Sequence, residues 1–364
     1  MLINYSTISN TNEEFSILDN SVRASIIEDL FEFDKCFYLN NYSIEIYSKE
    51  EGNKKKKRTF IGKLKNKMKK MYKDIQLSAW DTDVMKAIFK KCGTNELKSK
   101  IEVVITEKGI PMHLRPKIWK KLVGNNIKMN KPLFSSLMKK AVKTFKGDCL
   151  IKKDIDRTFF YFTKSEEFTK VLAESTLLLE MFTLYRPDIM YIQGMSYVMT
   201  MLLLHYKPYS AFKVFCNLIL GKEFLYKTYI FKKKYIERIQ SALEYIVSKN
   251  YPRLYRYLTC SKLEIWSIYW IEWIYAMFLR TFDLKTCLIL WDLILLKDDL
   301  FIFKLNLVVF GILNEKFDEI DKTHFFEKSR MVLLANQDKI VSKAFNDSGH
   351  DFDLIYIKKI IEGG

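Results

Sequence analysis

Two short segments of the chain carry side chains suited to phosphoryl-transfer chemistry on GTP. The first, residues 151–159, places Asp154 three positions before Arg157, and the second, residues 191–195, contains Gln193. A positioned Arg neutralises the charge that develops on a transferring phosphoryl group, and a positioned Gln orients the attacking water. Together the two segments predict a site that assists the hydrolysis of GTP.

Patterns typical of a self-contained hydrolase are absent from the sequence. It has no G-x-x-x-x-G-K-S/T phosphate loop, no G-x-G-x-x-G fingerprint and no G-x-S-x-G nucleophile motif. No Cys/His pair stands out as a nucleophile with its base. The chain is therefore not expected to bind a nucleotide by itself or to be a self-contained hydrolase.

The elements that must position these side chains are predicted to be helices. The chain has 364 residues, 49% of them hydrophobic, but only 12 Gly and 6 Pro, fewer than a fold with many tight β-turns needs. Apolar residues from Phe168 to Tyr185 recur at helical spacing, Thr163 with Glu166 fits a capping box before them, and Pro187 marks the helix end. Further helices are predicted over residues 198–205, 211–220, 234–247, 263–279, 284–296 and 306–312.

Cysteine and histidine usage argues against a disulfide scaffold and against a metal site. None of the six cysteines pairs at C-x-x-C spacing, and the four histidines form no i, i+4 pair. The first 12 residues lack the features of a signal peptide. The most apolar stretch, residues 265–279, contains Glu272 and ends before Arg280, which predicts a buried core helix rather than a membrane span. We expect a cytoplasmic protein without a metal.

Charge is distributed unevenly along the chain. The formal net charge is +17, yet residues 1–52 contain 3 Lys/Arg and 10 Asp/Glu, whereas residues 53–73 contain 11 Lys/Arg and no acidic residue. We predict a weakly structured, partly disordered acidic segment over residues 1–52 and a basic linker with an amphipathic helix over residues 53–97. The basic run is interpreted as a solvated linker or as a segment that binds an anionic membrane surface; nucleic-acid binding is not expected, because no nucleic-acid-binding fold surrounds it.

Four separated motifs give the chain a resemblance to a known family. In chain order they are residues 109–124, the Arg157 segment, the Gln193 segment and residues 288–295. This ordered set resembles the TBC domain, the all-helical catalytic domain of GTPase-activating proteins for Rab-family small GTPases. The resemblance covers about residues 98–325. It implies an all-α fold with two helical lobes.

The resemblance also implies domain limits. A TBC domain is expected over residues 98–330, followed by a C-terminal helical part at residues 331–364 that packs on it. The motifs of the catalytic site are expected in the N-terminal lobe.

The resemblance implies that the chain supplies two catalytic fingers to a partner. In the family the pattern Ile-x-x-Asp-x-x-Arg provides an arginine finger, and it falls here on Ile151, Asp154 and Arg157. The pattern Tyr-x-Gln provides a glutamine finger, and it falls on Tyr191 and Gln193. The implied partner is a Rab-family GTPase in the GTP state. That partner carries GTP and Mg²⁺, so the chain needs no cofactor of its own.

Neighbouring residues are expected to support the fingers. Asp154 and Arg157 would share a helix face, which lets the carboxylate orient the guanidinium. Thr158 follows the arginine directly, and Gly194 allows close backbone approach because it has no Cβ. The simpler interpretations are an ordinary surface ion pair for Asp154 and Arg157 and a turn residue for Gln193.

Four further motif residues are predicted to be structural. Trp119 is expected in the core, and Arg115 is expected to pair with an internal acid or carbonyl. Trp291 and Asp292 are likewise interpreted as architecture.

The match to the family has departures that keep a second function open. Phe160 stands where the family usually has Pro, and Met190 stands where it usually has Gly. A Cβ at position 190 restricts the loop that presents Gln193. The alternative is therefore a catalytically weak binding module or scaffold for a small GTPase in vesicle traffic, peripheral on endomembranes.

Overall fold

The all-α fold predicted from the sequence is confirmed. The structure is a computed structural model, and all regular secondary structure in the part of the chain that it describes is helical, without a strand. The described residues are 23, 93–144, 149–159, 166–260, 269–298, 300–320, 324–346 and 351–362.

Within residues 93–229 of the described part, eight helices form the N-terminal lobe. Helices α5 and α6 pack on each other at its centre, with α3, α4 and α7 around them. Every residue of α6 is buried, which its largely apolar sequence explains; its polar residues Ser196 and Thr200 are hydrogen-bonded. The bounds are α1 (Thr94–Val104), α2 (Arg115–Val123), α3 (Lys131–Thr144), α4 (Cys149–Ile155), α5 (Glu166–Tyr185), α6 (Met195–His205), α7 (Pro208–Gly221) and α8 (Glu223–Tyr229).

The remaining helices form the C-terminal lobe, whose longest helix, α9, packs on α8, α10 and α15. The bounds are α9 (Lys233–Asn250), α10 (Pro252–Cys260), a π-helix (Tyr269–Tyr275), α11 (Leu284–Leu296), α12 (Phe301–Glu315), a 3₁₀ turn (Phe317–Glu319), α13 (Phe325–Ala335), α14 (Gln337–Asn346) and α15 (Asp351–Glu362).

Helix α11 connects the two lobes. It packs on α1 and α2 of the first lobe and on α12 and α14 of the second. Its start is fixed by Asp283, whose side chain accepts a hydrogen bond from the N–H of Thr286 at 2.7 Å. The predicted bounds 284–296 are those observed, because a cap and a largely apolar segment specify this helix locally.

The predicted helix over residues 263–279 is wrong at its C-terminal end. Its first residues lie outside the described part, and the π-helix that follows ends at Tyr275. The N–H of Ala276 donates to the carbonyl of Ile271 at 3.0 Å, five residues back, and a turn with positive φ at Met277 (47°) and Phe278 (65°) follows. Apolar spacing reports burial but not the register of backbone hydrogen bonds, so it could not predict this turn.

Several predictions fall outside the described residues. These are the acidic segment except Arg23, the basic run, the capping residue Thr163 and the departure at Phe160. Among the described residues no helix is long and apolar enough to cross a membrane. No group of three or more His, Cys, Asp or Glu in the same part of the chain could hold a metal ion.

Candidate functional site

Arg157 lies in the turn that follows α4, two residues beyond the helix end. The helix ends at Ile155, and buried Ile151 anchors it to the core. The sequence predicted that Asp154 and Arg157 share one helix, whereas in the structure the helix ends between them. The side chain of Arg157 nevertheless turns back to α4: Nη2 lies 3.0 Å from Oδ1 of Asp154, and Nε donates to the carbonyl of Lys153 at 3.2 Å.

The carboxylate of Asp154 is buried and accepts hydrogen bonds from two parts of the chain. Oδ1 faces Arg157, whereas Oδ2 accepts from the backbone N–H of Gly194 at 2.8 Å and from the hydroxyl of Ser196 at 3.0 Å. The phenol of Tyr191 also donates to Oδ2. A buried carboxylate with this many donors is fully satisfied and fixes the groups around it. Asp154 thus joins the arginine segment to the glutamine segment.

The hydroxyl groups next to this carboxylate extend the network. Thr158 Oγ1 donates to the backbone carbonyl of Asp154 at 2.7 Å and lies 2.7 Å from the hydroxyl of Ser196. The phenol of Tyr197 donates to the carbonyl of Arg157 at 2.8 Å. Burial raises the pKa of Tyr191, with the charge on Asp154 as the second cause, so that phenol stays protonated and remains a donor. The backbone on both sides of Arg157 is therefore held by α6.

Gly194 is where the glutamine loop meets the C-terminal lobe. Its φ is +104°, and a Cβ built there would lie 2.9 Å from the backbone nitrogen of Ala276 and 3.0 Å from the carbonyl carbon of Tyr275. Both the conformation and the space require glycine. The close approach expected at Gly194 is present, and its partner is the turn that follows the π-helix.

Two aromatic side chains hold that turn in place. The Tyr229 phenol donates to the carbonyl of Tyr275 at 2.9 Å, and the Trp291 indole donates to the carbonyl of Met277 at 3.0 Å. Both aromatic rings are buried. Trp291 therefore supports the surface on which Gly194 rests.

The polar ends of Arg157 and Gln193 are accessible. The Arg157 side chain is 54% exposed despite its ion pair, and within the described residues its Nη1 makes no hydrogen bond. Gln193 is half-buried, and its carboxamide makes no hydrogen bond to any described residue. Asp154 thus holds Nη2 of Arg157 and the backbone N–H of Gly194, next to Gln193, while Nη1 of Arg157 and the Gln193 carboxamide stay available to a ligand.

Additional positive charge lies near Arg157. The guanidinium of Arg280 is 5.5 Å from the centre of the Tyr197 ring and 3.6 Å from Glu272. Burial raises the pKa of Tyr197, and the charges of Arg280, Arg330 and Arg157 oppose that shift. The guanidinium groups of Arg157 and Arg280 thus lie on either side of Tyr197 in the sequence but act on the same phenol, and each is paired with a carboxylate, Asp154 or Glu272.

Comparison with known proteins identifies the family of the chain. A family profile described as the Rab-GTPase-TBC domain matches residues 112–317. The chain belongs to the Rab-GTPase-TBC family. The resemblance drawn from motif order is thereby confirmed.

Known TBC relatives differ substantially from this chain in sequence and length. "TBC1 domain family member 12" of Xenopus tropicalis is 24% identical over 242 residues, which are 59% of this chain and 35% of that protein. "TBC1 domain family member whacked" of Drosophila melanogaster is 30% identical over 207 residues, 56% of each chain. This chain thus spans about a third of the first relative and just over half of the second.

A solved TBC structure shares the fold. The Chlamydomonas flagellar RabGAP TBC domain superimposes with a TM-score of 0.59 at 19% identity, covering 76% of this chain and 92% of that one.

The TBC domain contains a second buried carboxylate, Asp292 on α11. It accepts hydrogen bonds from Nε and Nη2 of Arg115 at 3.0 and 2.9 Å, from the Trp119 indole at 2.7 Å and from the N–H of Ile110 at 2.7 Å. A Cβ at Gly109 would lie 2.6 Å from Oδ2 of Asp292. Burial raises the pKa of Asp292, and Arg115 opposes that shift. This cluster ties α2 to α11 and thus one lobe to the other.

The structure therefore separates the motif residues of the TBC domain into two clusters. One is centred on Asp154 and holds the two polar side chains with accessible ends. The other is centred on Asp292 and is wholly internal. Sequence reasoning did not assign roles to Ser196, Tyr197 or Arg280, because the first two lie in an apolar helical run and the third follows a turn that periodicity did not predict.

Proposed function

We propose that this TBC domain accelerates the hydrolysis of GTP bound to a Rab-family small GTPase, with Arg157 and Gln193 acting in trans. The observation that carries the proposal is the shared carboxylate of Asp154. It binds the guanidinium of Arg157 at 3.0 Å and the backbone N–H of Gly194, next to Gln193, at 2.8 Å. One buried group thus positions both fingers.

Arg157 is oriented to stabilise charge on the transferring phosphoryl group. Its Nε and Nη2 atoms are occupied by Lys153 and Asp154, so the guanidinium plane is fixed before a ligand arrives. An arginine finger supplied in trans contributes about 10³ to 10⁵ in rate, which corresponds to roughly 4–7 kcal/mol of barrier. Fixing the group in advance removes the entropy cost of ordering it during the reaction.

Gln193 is suited to orient the attacking water. A carboxamide accepts a hydrogen bond through its oxygen and donates through its nitrogen, so it can contact the water and a phosphate oxygen together. The rigid contact of Gly194 with the Tyr275–Ala276 backbone limits how far Gln193 can move. GTP and Mg²⁺ belong to the GTP-bound partner, and this chain contributes no cofactor.

The test is multiple-turnover phosphate release from a panel of GTP-loaded Rab-family GTPases. Arg157→Ala is expected to lower kcat/KM about 10³-fold, and Gln193→Ala to lower it as well. Lys152→Ala is the matched control, because it removes an exposed positive charge from α4, the helix that ends two residues before Arg157. If the wild type and Arg157→Ala accelerate every panel member equally, the catalytic proposal fails.

A binding module without catalysis is the second candidate, and Met190 favours it. This residue holds a positive φ of 62° in the loop before Gln193, a conformation that costs energy for a residue with a Cβ. Stable binding to a GTP-loaded Rab protein without any acceleration of hydrolysis would select this candidate.

The basic run is proposed to bring the domain to membranes. Residues 53–73 lie outside the described part of the chain, and their 11 Lys/Arg would attract anionic head groups at about 1 kcal/mol each. Such binding would bring the protein to endomembranes, beside lipid-anchored GTPases of vesicle traffic. Deleting residues 53–73 should abolish co-sedimentation with phosphatidylserine vesicles and preserve GTPase activation in solution. Unchanged vesicle binding would contradict this role.

A further inference from the structure

We propose that Met190 and Phe231 form an apolar contact surface beside Gln193 that binds the GTP-loaded GTPase directly. These two residues are called the apolar rim below. The inference rests on the proposed function, because it identifies part of the surface by which the same partner docks.

Both residues of the rim expose most of a large apolar side chain. Met190 is 63% exposed and Phe231 is 62% exposed. Exposed apolar side chains beside a polar site are typical of protein interfaces, where Met and Phe are enriched.

Both residues also hold a backbone conformation that is unfavourable for them. The φ angles are 62° at Met190 and 54° at Phe231, in the left-handed region that glycine adopts without cost. Such conformations persist where the surrounding structure enforces them, and they cluster at functional sites. Exposure and backbone strain thus coincide at the same two residues.

A continuous set of contacts joins Met190 to the segment that carries Phe231. The N–H of Met190 donates to the carbonyl of Arg186 at 3.0 Å, and the guanidinium of Arg186 lies 5.4 Å from the centre of the Tyr226 ring. The carbonyl of Tyr226 in turn accepts from the N–H of Ile230 at 3.0 Å, directly before Phe231.

Phe231 is joined to the glutamine loop from the other side. Its ring stacks on Tyr275 with a centroid distance of 6.2 Å and an interplanar angle of 20°. The carbonyl carbon of Tyr275 is one of the atoms against which Gly194 packs. Phe231 is therefore linked to both ends of the Gln193 loop, to Met190 through Tyr226 and Arg186 and to Gly194 through Tyr275.

The occupant of the rim is the GTPase on whose nucleotide the fingers act. Two such side chains offer at most about 300–400 Å² of apolar surface, whereas a stable complex buries about 800 Å² on each partner. The rim must therefore belong to a larger interface, and it is continuous with the Gln193 loop. The guanidinium groups of Arg157 and Arg280 complement an anionic nucleotide in that interface. A second copy of this basic chain would instead bring like charges together.

The experiment replaces each rim residue with asparagine. Asn tolerates positive φ better than other non-glycine residues, so Met190→Asn and Phe231→Asn remove apolar surface while the backbone conformation is retained. Val103→Asn is the matched control, because Val103 is 85% exposed but lies on α1. Steady-state kinetics and equilibrium binding are measured with the full chain and the panel of GTP-loaded Rab-family GTPases.

Each rim variant is expected to raise KM and the Kd for the GTP-loaded GTPase about tenfold, as for an interface anchor, while kcat changes less than twofold. Val103→Asn should match the wild type. A KM and Kd unchanged in both rim variants would overturn the inference even if Arg157→Ala abolishes activation.

The two proposals fail separately in this experiment. If the wild type binds a GTP-loaded GTPase without accelerating hydrolysis and the rim variants weaken that binding, the catalytic proposal fails and the rim stands. If the wild type neither binds nor accelerates any member of the panel, both proposals are overturned. Thermal unfolding of each variant separates lost contact from lost folding.

Discussion

The carboxylate of Asp154 accepts a hydrogen bond from the backbone N–H of Gly194 at 2.8 Å, across 40 residues of sequence. The same carboxylate holds the guanidinium of Arg157 through its other oxygen. A single side chain thus sets the relative position of the two segments proposed to carry the catalytic fingers. Groups that act in one step must be placed to within a fraction of an ångström, and a shared anchor achieves this more directly than two independent ones.

Replacing this anchor should impair activation more than it impairs folding. In Asp154→Asn one carboxylate oxygen becomes an NH₂ donor, which must face either Arg157 or the donors from Gly194 and Ser196. We expect GTPase activation to fall at least about 10²-fold and the free energy of unfolding to fall by about 2–3 kcal/mol. Asp156→Asn, at an exposed neighbouring position, is the control for both measurements. If Asp154→Asn activates the GTPase as strongly as the wild type does, the anchoring role of Asp154 is contradicted.

Gly194 should tolerate no side chain. In Gly194→Ala the Cβ would lie 2.9 Å from the nitrogen of Ala276 at a φ of +104°. We expect the free energy of unfolding from urea titration to fall by about 2–3 kcal/mol, the usual range for a strained backbone site. Gly221→Ala is the matched control, since nothing lies within 4 Å of its Cβ position and it ends helix α7. That control should be neutral or slightly stabilising; equal losses in both variants would refute the steric argument.

Met190→Gly should stabilise the protein and weaken its partner binding at the same time. Glycine adopts the observed φ of 62° without the Cβ penalty, so the free energy of unfolding should rise by about 1 kcal/mol. Loss of the exposed side chain should raise the KM for the GTPase. Met190→Ala separates the two effects, because it removes the contact but keeps the strain. If Met190→Gly is less stable than the wild type, the prediction is wrong, and the Met190 side chain contributes packing energy despite its exposure.

Arg23 should contribute strongly to the stability of the TBC domain. It is helical and buried, its Nη2 lies 2.7 Å from buried Glu174 on α5, and its Nη1 donates to the carbonyl of Leu203 at the end of α6. Arg23→Ala leaves the carboxylate of Glu174 without this cation, so we expect a loss of about 3–5 kcal/mol. Thermal and urea unfolding measure it.

Two comparisons test whether the effect of Arg23 arises from this ion pair. Combining Arg23→Met with Glu174→Leu should restore much of the loss, because an apolar pair needs no compensating charge. Lys233→Ala breaks an exposed pair with Glu237, 3.8 Å apart, and should cost about 0.5 kcal/mol. A loss for Arg23→Ala as small as that of Lys233→Ala would exclude a structural role for the buried pair.

His205 should make the stability depend on pH. It is buried against Trp119 with a centroid distance of 4.8 Å, and burial lowers its pKa from 6.5 to about 4. The unfolded chain therefore binds the proton of His205 more tightly than the folded chain. The protein keeps its full free energy of unfolding above pH 6.5, where His205 is neutral in both states, and loses part of it as the pH falls towards 4. A shift of this size corresponds to about 3 kcal/mol in total. His205→Gln should flatten the urea-unfolding profile in this window, whereas exposed His113→Gln should not; parallel profiles for all three proteins would refute the assignment.

The order of the motifs identified the family because several motif residues act over short stretches of sequence. Asp154 and Arg157 are three positions apart, so their contact needs only a turn. Helix α11 could be delimited from its largely apolar pattern, and the structure adds a cap at Asp283. Where one local signal specifies an element, the sequence sufficed.

The sequence could not predict contacts that depend on how the helices pack. No periodicity in residues 186–194 indicates that Gly194 packs on the turn after the π-helix. Nor does it indicate that the Trp291 indole donates a hydrogen bond to Met277 in that turn. Arg23 and Glu174 are separated by 151 residues, and only the packed domain brings them together.

By itself, then, the amino-acid sequence determined that the chain is helical, which family it resembles and which side chains could act on a phosphate. Those properties are written in spacing and residue type, which act over one or two helical turns. The tertiary structure alone decided that one buried carboxylate serves both segments and that Met190 and Phe231 flank the loop between them. Such relationships arise only when helices that are distant along the chain pack together, because the free energy that fixes them comes from contacts between those helices.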